Sequence, residues 1–367
     1  MYCNGISLTD FRNIEQANVS FDAGVNILYG NNAQGKTNLL EAVYYAALGK
    51  SFRGQHAPEV IRFGAEGALL SLDYTAAGRA QNITMRLFQG RARAVEKNKV
   101  RISKMSELVG SFRAVLFCPE HLSLIKGGPA ERRQFLDIAV SASEPVYLAT
   151  LQRYAQILKQ RNALIKKGKD EPELFRSTVD IWSAQLAKEA SYIARSRARY
   201  VRRAEKFVKE CFADMTGERE TPALLYLGPD KSGGDYEDLA ATERMLYEKL
   251  CANHEREIGA GATLWGVHKD DIDVELNGHS ARLFASQGQQ RSLALALKIA
   301  EGEICREDCG EYPVFLFDDV LSELDRCRRA YLLEKMNGKQ VILTACEQIP
   351  DFHGKKMYVE NGVIREG

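Results

Sequence analysis

Residues 25–48 read VNILYGNNAQGKTNLLEAVYYAAL, and three signals follow one another in them. Val25 to Tyr29 is a continuous apolar run that reads as a buried strand. Gly30-Asn31-Asn32-Ala33-Gln34-Gly35-Lys36-Thr37 is a glycine-bounded turn matching the pattern G-x-x-x-x-G-K-[ST]. Leu39, Leu40, Val43 and Ala47 then fall on one face of a helix. Strand, loop and helix in this order are the context a phosphate-binding loop requires. Its glycines let backbone N–H groups converge on phosphates at the helix N-terminus, where the dipole also favours anions. Lys36 is placed to neutralise β and γ phosphates and Thr37 to coordinate Mg²⁺, so ATP and Mg²⁺ are the expected ligands.

Outward from this core, Ile6, Leu8 and Phe11, then Val19 and Phe21, alternate as in two amphipathic strands. Segments 67–75 and 81–88 read as strands around the turn AAGRAQ, and Ala114 to Cys118 as a short buried strand. After Gly127, Gly128 and Pro129 helical periodicity takes over until about Gly217. Leu151, Tyr154, Leu158, Arg161 and Ile165 are followed by Phe175, Val179, Trp182, Leu186, Ala190 and Ile193, which predicts an antiparallel helical hairpin. Roughly 40 helical residues span only about 60 Å, too short for an extended coiled-coil arm. From about residue 262 strands and helices return. The expected organisation is an α/β ATPase lobe, 1–126 and 261–367, split by a helical insertion lobe, 127–260.

Two further motifs carry chemistry. Pro313-Val-Phe-Leu-Phe-Asp318-Asp319 is an apolar run ending in two carboxylates, as expected of a buried parallel strand whose C-terminal end faces a nucleotide. Asp318 would hold Mg²⁺ and Asp319 would polarise the attacking water. Ser286-Gln287-Gly288-Gln289-Gln290 opens a helix through Leu293, Leu295, Leu297 and Ile299, making a second anion site at a helix start.

A P-loop, a distant SxGQ at a helix start, and an apolar strand with Asp-Asp followed by Ser322-Glu-Leu-Asp325 resemble, in that order, the ABC-type ATPases. In these the second cradle, with Asp325, serves ATP bound by a partner subunit. The resemblance implies a head-to-tail homodimer closing on two ATP molecules. Within the superfamily the chain is similar to the RecF family, of the SMC-like group, over essentially its whole length. The likeness rests on Leu8-Thr-Asp-Phe11-Arg12-Asn13, Gly49-Lys50-Ser51-Phe52-Arg53, Gly127-Gly128-Pro129 with Arg132-Arg133-Gln-Phe-Leu-Asp137, and His268-Lys269-Asp270-Asp271. It implies that Arg53 reaches the nucleotide and senses DNA and that Arg12 and Asn13 lie near the phosphates. It also implies action at single-strand gaps and duplex junctions, work with RecR and RecO in loading RecA, and a need in the SOS response.

Three departures stand out. Val341 to Ala345 brings no switch histidine, Pro119 and Glu120 stand where a glutamine is usual, and Val267 and Lys269 replace the family's Pro and Arg. The missing groups imply slow hydrolysis, a switch rather than a motor, with His268 a candidate substitute.

Composition sets outer limits. Lys and Arg total 50 against 49 Asp and Glu, so affinity for DNA needs a local basic patch. One exists: Arg195, Arg197, Arg199, Arg202, Arg203, Lys206 and Lys209 sit beside Glu205 alone, and the expected phosphate contacts are Arg195, Arg199, Arg202, Arg203 and Lys206. Around a helix this run is expected to cover more than one face. Eight scattered cysteines suit a reducing compartment, and the Cys305/Cys309 pair lacks a histidine to complete a zinc site. With no export signal or apolar run of membrane length, the expected place is the cytoplasm, with no membrane partner. A transporter's nucleotide-binding subunit is disfavoured by the insertion and basic run, and a DNA-bridging SMC-like protein by the short hairpin.

Overall fold

The structure, a computed structural model, describes residues 1–54, 57–217, 219–347 and 354–366. It divides into two units: Met1–His121 with Leu295–Gly367, and Leu122–Ala294. The first unit is the expected α/β head. Its central sheet runs, strand by strand, Val363–Glu366, Lys355–Glu360, Val25–Tyr29, Val341–Ala345, Val314–Phe317 and Ala114–Phe117. All neighbouring pairs are parallel except the outermost hairpin, Lys355–Glu360 with Val363–Glu366. A second, antiparallel sheet is formed in order by Ile14–Ser20, Tyr2–Phe11, Gly67–Ala76, Arg79–Phe88, Ala94–Lys97 and Val100–Ile102.

The helix Lys36–Leu48 packs on strands of both sheets. Ten of its residues are therefore buried, around its whole circumference rather than on the single apolar stripe that its sequence predicts. Among them is a carboxylate, Glu41, fully buried. The helix ends at Gly49, whose φ of +65° suits glycine and whose N–H closes on the carbonyl of Tyr45 at 2.7 Å.

The second unit contains the hairpin, with helices Pro145–Lys167 and Pro172–Thr216 packed on each other. Proline opens both helices, where its missing N–H costs no helical hydrogen bond. The second helix runs 45 residues, about 68 Å at 1.5 Å per residue. Two arginines brace this unit from inside. Arg161, fully buried, bonds Glu257 at 2.7 Å, Thr263 at 2.9 Å and Ser183 at 3.1 Å. Arg197 bonds Asp137 at 2.8 Å and the Val267 carbonyl at 2.7 Å and is 2% exposed, so it leaves the basic run and becomes a strut.

The limits of this unit differ from the expected 127–260. Strand Pro222–Leu227 pairs along its length with Asp271–Leu276, which pairs onward with His279–Ser280. Residues 261–286 are thereby stitched to the helical unit, and the chain re-enters the head at Leu295.

Candidate nucleotide-binding site

In the central sheet one strand, Val341–Ala345, separates the strand that feeds the P-loop from the strand that ends at Asp318. Register does the rest. Leu343 lies opposite both Ile27 and Phe317, which brings Thr344 level with the start of the Asp318-Asp319 turn. Its hydroxyl donates to Asp318 Oδ1 at 2.9 Å and accepts the Asp319 backbone N–H at 2.8 Å. Thr37, at the start of the P-loop helix, donates to the same Asp318 oxygen at 2.8 Å. Burial pushes the Asp318 carboxyl above its usual range, and the Thr37 and Thr344 hydroxyls pull the other way. Mg²⁺ would hold that carboxyl ionised, and Thr37 and Asp318, already in contact, are the pair fitted to bind it.

The loop itself is held open by backbone constraints. Gly30 has a φ of +146°, and a Cβ there would stand 2.3 Å from the Val359 carbonyl oxygen; Gly35, at φ +112°, would meet the Asn13 side chain at 2.8 Å. Among the described residues no side chain caps the helix at Gly35, so its leading N–H groups remain for an anion. Lys36 Nζ donates to the carbonyls of Gly30 at 2.5 Å and Asn31 at 2.7 Å. Asn13, Asn32, Ala33, Gln34, Gly35, Lys36, Thr37, Asn38, Arg53, Asp319, Thr344 and Cys346 line a cavity of about 430 Å³.

Asp319 sits at the cavity wall with φ +52°, a region uncommon for any residue but glycine. The Thr344 hydroxyl on its N–H and the Ser322 hydroxyl on its carbonyl, at 2.8 Å, fix that conformation. A carboxylate held so can orient a water for in-line attack.

Several expected roles change. Arg12 does not line the cavity. Its guanidinium is clamped bidentately by Glu41, at 2.7 and 3.0 Å, with a third bond to the Glu59 carbonyl. Glu41 also receives the Ser51 hydroxyl at 2.5 Å and lies 3.9 Å from Arg53. This buried carboxylate, missed in the sequence because it sits on a helix that reads as amphipathic, organises the residues behind the phosphate loop. Arg53 does reach the cavity, through Asn38 at 2.8 Å, and Asn13 bonds Asn38 at 2.7 Å and the Gln34 carbonyl at 3.3 Å. Asp325 caps the helix Arg326–Lys335 by accepting the Arg328 N–H at 2.9 Å.

His268 is no substitute for the absent switch histidine. One ring nitrogen meets the Tyr154 hydroxyl at 2.6 Å and the other the Thr263 carbonyl at 3.0 Å, and burial lowers its pKa to about 4. It is structural. At the position after the strand stands Cys346, whose thiol donates to Asn32 Oδ1 at 3.0 Å. In the second unit, Ser286 and Gln289 form a reciprocal cap, Ser286 N–H to the Gln289 side chain at 2.6 Å and Gln289 N–H to the Ser286 hydroxyl at 3.3 Å. Gln287 and Gly288 lie in the first turn of that helix. The lining of the P-loop cavity does not include any of these four.

A P-loop and an aspartate strand separated by one strand, an antiparallel sheet on the same helix, and a helical insertion define an ABC-type ATPase head. The family pattern for the RecF/RecN/SMC N-terminal domain matches residues 2–352. The DNA replication and repair protein RecF of Clostridium novyi is 35% identical over 371 residues, covering 100% of both chains. That of Lachnospira eligens is 36% identical over 360 residues, 98% of this chain and 96% of its own. A solved structure of the recombination mediator protein RecF-ATPrS in the RecFOR pathway superposes with a TM-score of 0.93 at 30% identity, covering 100% of this chain and 98% of that one. The Smc head of Pyrococcus furiosus shares the fold at TM-score 0.58 and 18% identity. The chain belongs to the RecF family of DNA replication and repair proteins.

Thr344 links both aspartates, so Thr344→Val is expected to separate chemistry from binding. Losing a hydrogen bond to a charged group costs about 1.5–3 kcal/mol, which predicts a kcat about ten- to 100-fold lower. ATP affinity should change by less than about threefold, because the P-loop contacts are untouched. Steady-state hydrolysis with a fluorescent-nucleotide titration checks both.

Proposed function

We propose that this protein is an ATP-gated DNA-binding switch of recombinational repair. It closes head to tail on two ATP molecules at single-strand gaps or their duplex junctions and hydrolyses them slowly. The observation that carries this reading is the Thr37–Asp318–Thr344 bridge beneath an uncapped helix N-terminus. These groups are suited to be phosphate and metal ligands, and the cavity beside them is lined by Asp319 but by none of the Ser286 cradle. Half of an ABC site is present in the head, and a second copy of the chain supplies the other half through Ser286, Gln287, Gly288, Gln289 and Asp325. The departures at Cys346, Pro119 and Glu120 leave water and metal with fewer positioning groups, which favours a timer over a motor. Work with RecR, and through it RecO and RecA, within the SOS response belongs to this reading as what the family resemblance implies.

Dimerisation is the first test. Lys36→Met removes the cation for the γ phosphate, so ATP binding and ATP-induced dimers should both be lost in analytical ultracentrifugation. Asp319→Asn keeps Asp318 and should accumulate a long-lived ATP dimer. A Lys36→Met protein that still dimerises, or an Asp319→Asn protein that stays monomeric with ATP, contradicts the reading.

DNA contact is assigned to one stripe of helix Pro172–Thr216, exposed at Arg199, Arg202, Lys206 and Lys209 and half-buried at Arg195. Arg195, Arg199, Arg202, Lys206 and Lys209 recur at intervals of three and four, which at about 100° per residue keeps them on one face. Arg203 is turned aside and partly buried. The stripe is partly neutralised: Arg199 and Arg202 share Glu237, and Lys209 meets Glu205 at 2.8 Å. Five cations against two carboxylates leave it positive. Replacing Arg199, Arg202 and Lys206 with Ala should weaken duplex binding with little sequence dependence. It should flatten the log-affinity against log-salt plot by about 0.9 for each phosphate no longer neutralised, with ATP dimerisation retained. An unchanged salt slope places the DNA elsewhere.

A further inference from the structure

Away from the nucleotide, the second unit brings three metal-ligating groups together. Helix Leu239–Cys251 ends at Cys251, a two-residue turn follows, and His254 begins the next helix. Both face Asp180 on the long helix Pro172–Thr216. One donor atom from each of the three lies within 4.8 Å of the other two. The Cys251 thiol donates to Asp180 Oδ1 at 3.5 Å, and His254 Nε2 is 3.7 Å from the same oxygen.

The second distance is too long for a hydrogen bond. His254 Nε2 is nevertheless screened from water and has no hydrogen-bond partner among the described residues, an arrangement that normally costs free energy. A tetrahedral zinc ion would give that nitrogen a partner. With Zn–S about 2.3 Å and Zn–N and Zn–O about 2.0–2.1 Å, the ligand–ligand edges are about 3.5 Å for sulfur to oxygen and 3.4 Å for nitrogen to oxygen. These lie close to the spacings found.

We propose that Cys251, His254 and Asp180 form a zinc-class metal site that pins the end of helix Leu239–Cys251 to the long helix. Cysteine, histidine and aspartate are all zinc ligands, and a thiolate with a carboxylate cancels the charge of a divalent ion. The imidazole is fixed edge-on against the buried Phe175 ring, centroids 5.6 Å apart. Asp180 is 58% exposed, leaving the fourth position to water.

The test is a Co²⁺ titration of the metal-free full chain without nucleotide, followed by optical absorption. Near-stoichiometric binding, tetrahedral d–d bands and a thiolate-to-cobalt charge-transfer band, all displaced by Zn²⁺, are expected. Cys251→Ser should abolish the charge-transfer band, and Asp180→Asn should weaken binding by at least about tenfold. The exposed Asp180 cannot confound its result by unfolding the protein. His254→Cys, which replaces one zinc ligand by another, should retain binding. The proposal fails if no stoichiometric binding occurs. It also fails if the band survives Cys251→Ser, since the metal then sits on another thiol such as the exposed Cys327 or Cys346.

Discussion

One carboxylate, Asp318, ties the head together. It receives the Thr37 hydroxyl from the P-loop helix and the Thr344 hydroxyl from the strand between, and it is 7% exposed. Parallel pairing makes this bridge possible, because strands that run the same way in a sheet present their C-terminal ends, and the turns that follow them, on one edge. The same register places Thr344 under the Asp319 N–H, so the residue expected to handle water takes its left-handed conformation from the residue that holds Asp318. A change at any of the three is felt by the other two.

Much of this was legible in the chain. The P-loop is a pattern with a physical cause at each fixed position, and the apolar run before Asp318-Asp319 has the composition of a strand buried on both faces. Strands 67–75, 81–88 and 114–118 and the hairpin were readable because periods of two and of three to four are direct consequences of backbone geometry. What periodicity cannot show is which polar residue a tertiary contact will claim. Arg12, which the family resemblance puts near the phosphates, is held by Glu41; Arg197 reads as part of a basic run and is buried between Asp137 and Asp270. Arg161, placed correctly on the hairpin's inner face, is there with a buried carboxylate as its partner.

The insertion's limits were hidden for a similar reason. Strand Pro222–Leu227 and its partner Asp271–Leu276 are separated by two helices, and no local signal links them. Their pairing moves Ser286 out of the head and into the unit that carries the basic helix. Ser286 and the stripe from Arg195 to Lys209 therefore belong to one compact unit, and under the proposed function that unit would couple ATP-dependent closure to the DNA. His268, bonded at both nitrogens, belongs to the scaffold of that body rather than to catalysis.

The central claim is that an ATP site is complete only when two copies of the chain contribute to it. The most direct measurement mixes Lys36→Met protein with Ser286→Arg protein and follows ATP hydrolysis. The first lacks a working P-loop and the second a working cradle, so neither alone can assemble a site. A heterodimer contains one P-loop and one cradle that are both intact and face each other. Partial recovery of hydrolysis in the mixture, absent from either protein alone, is the predicted result. A Ser286→Arg protein with normal turnover on its own, or a mixture as inactive as its parents, would contradict the composite site.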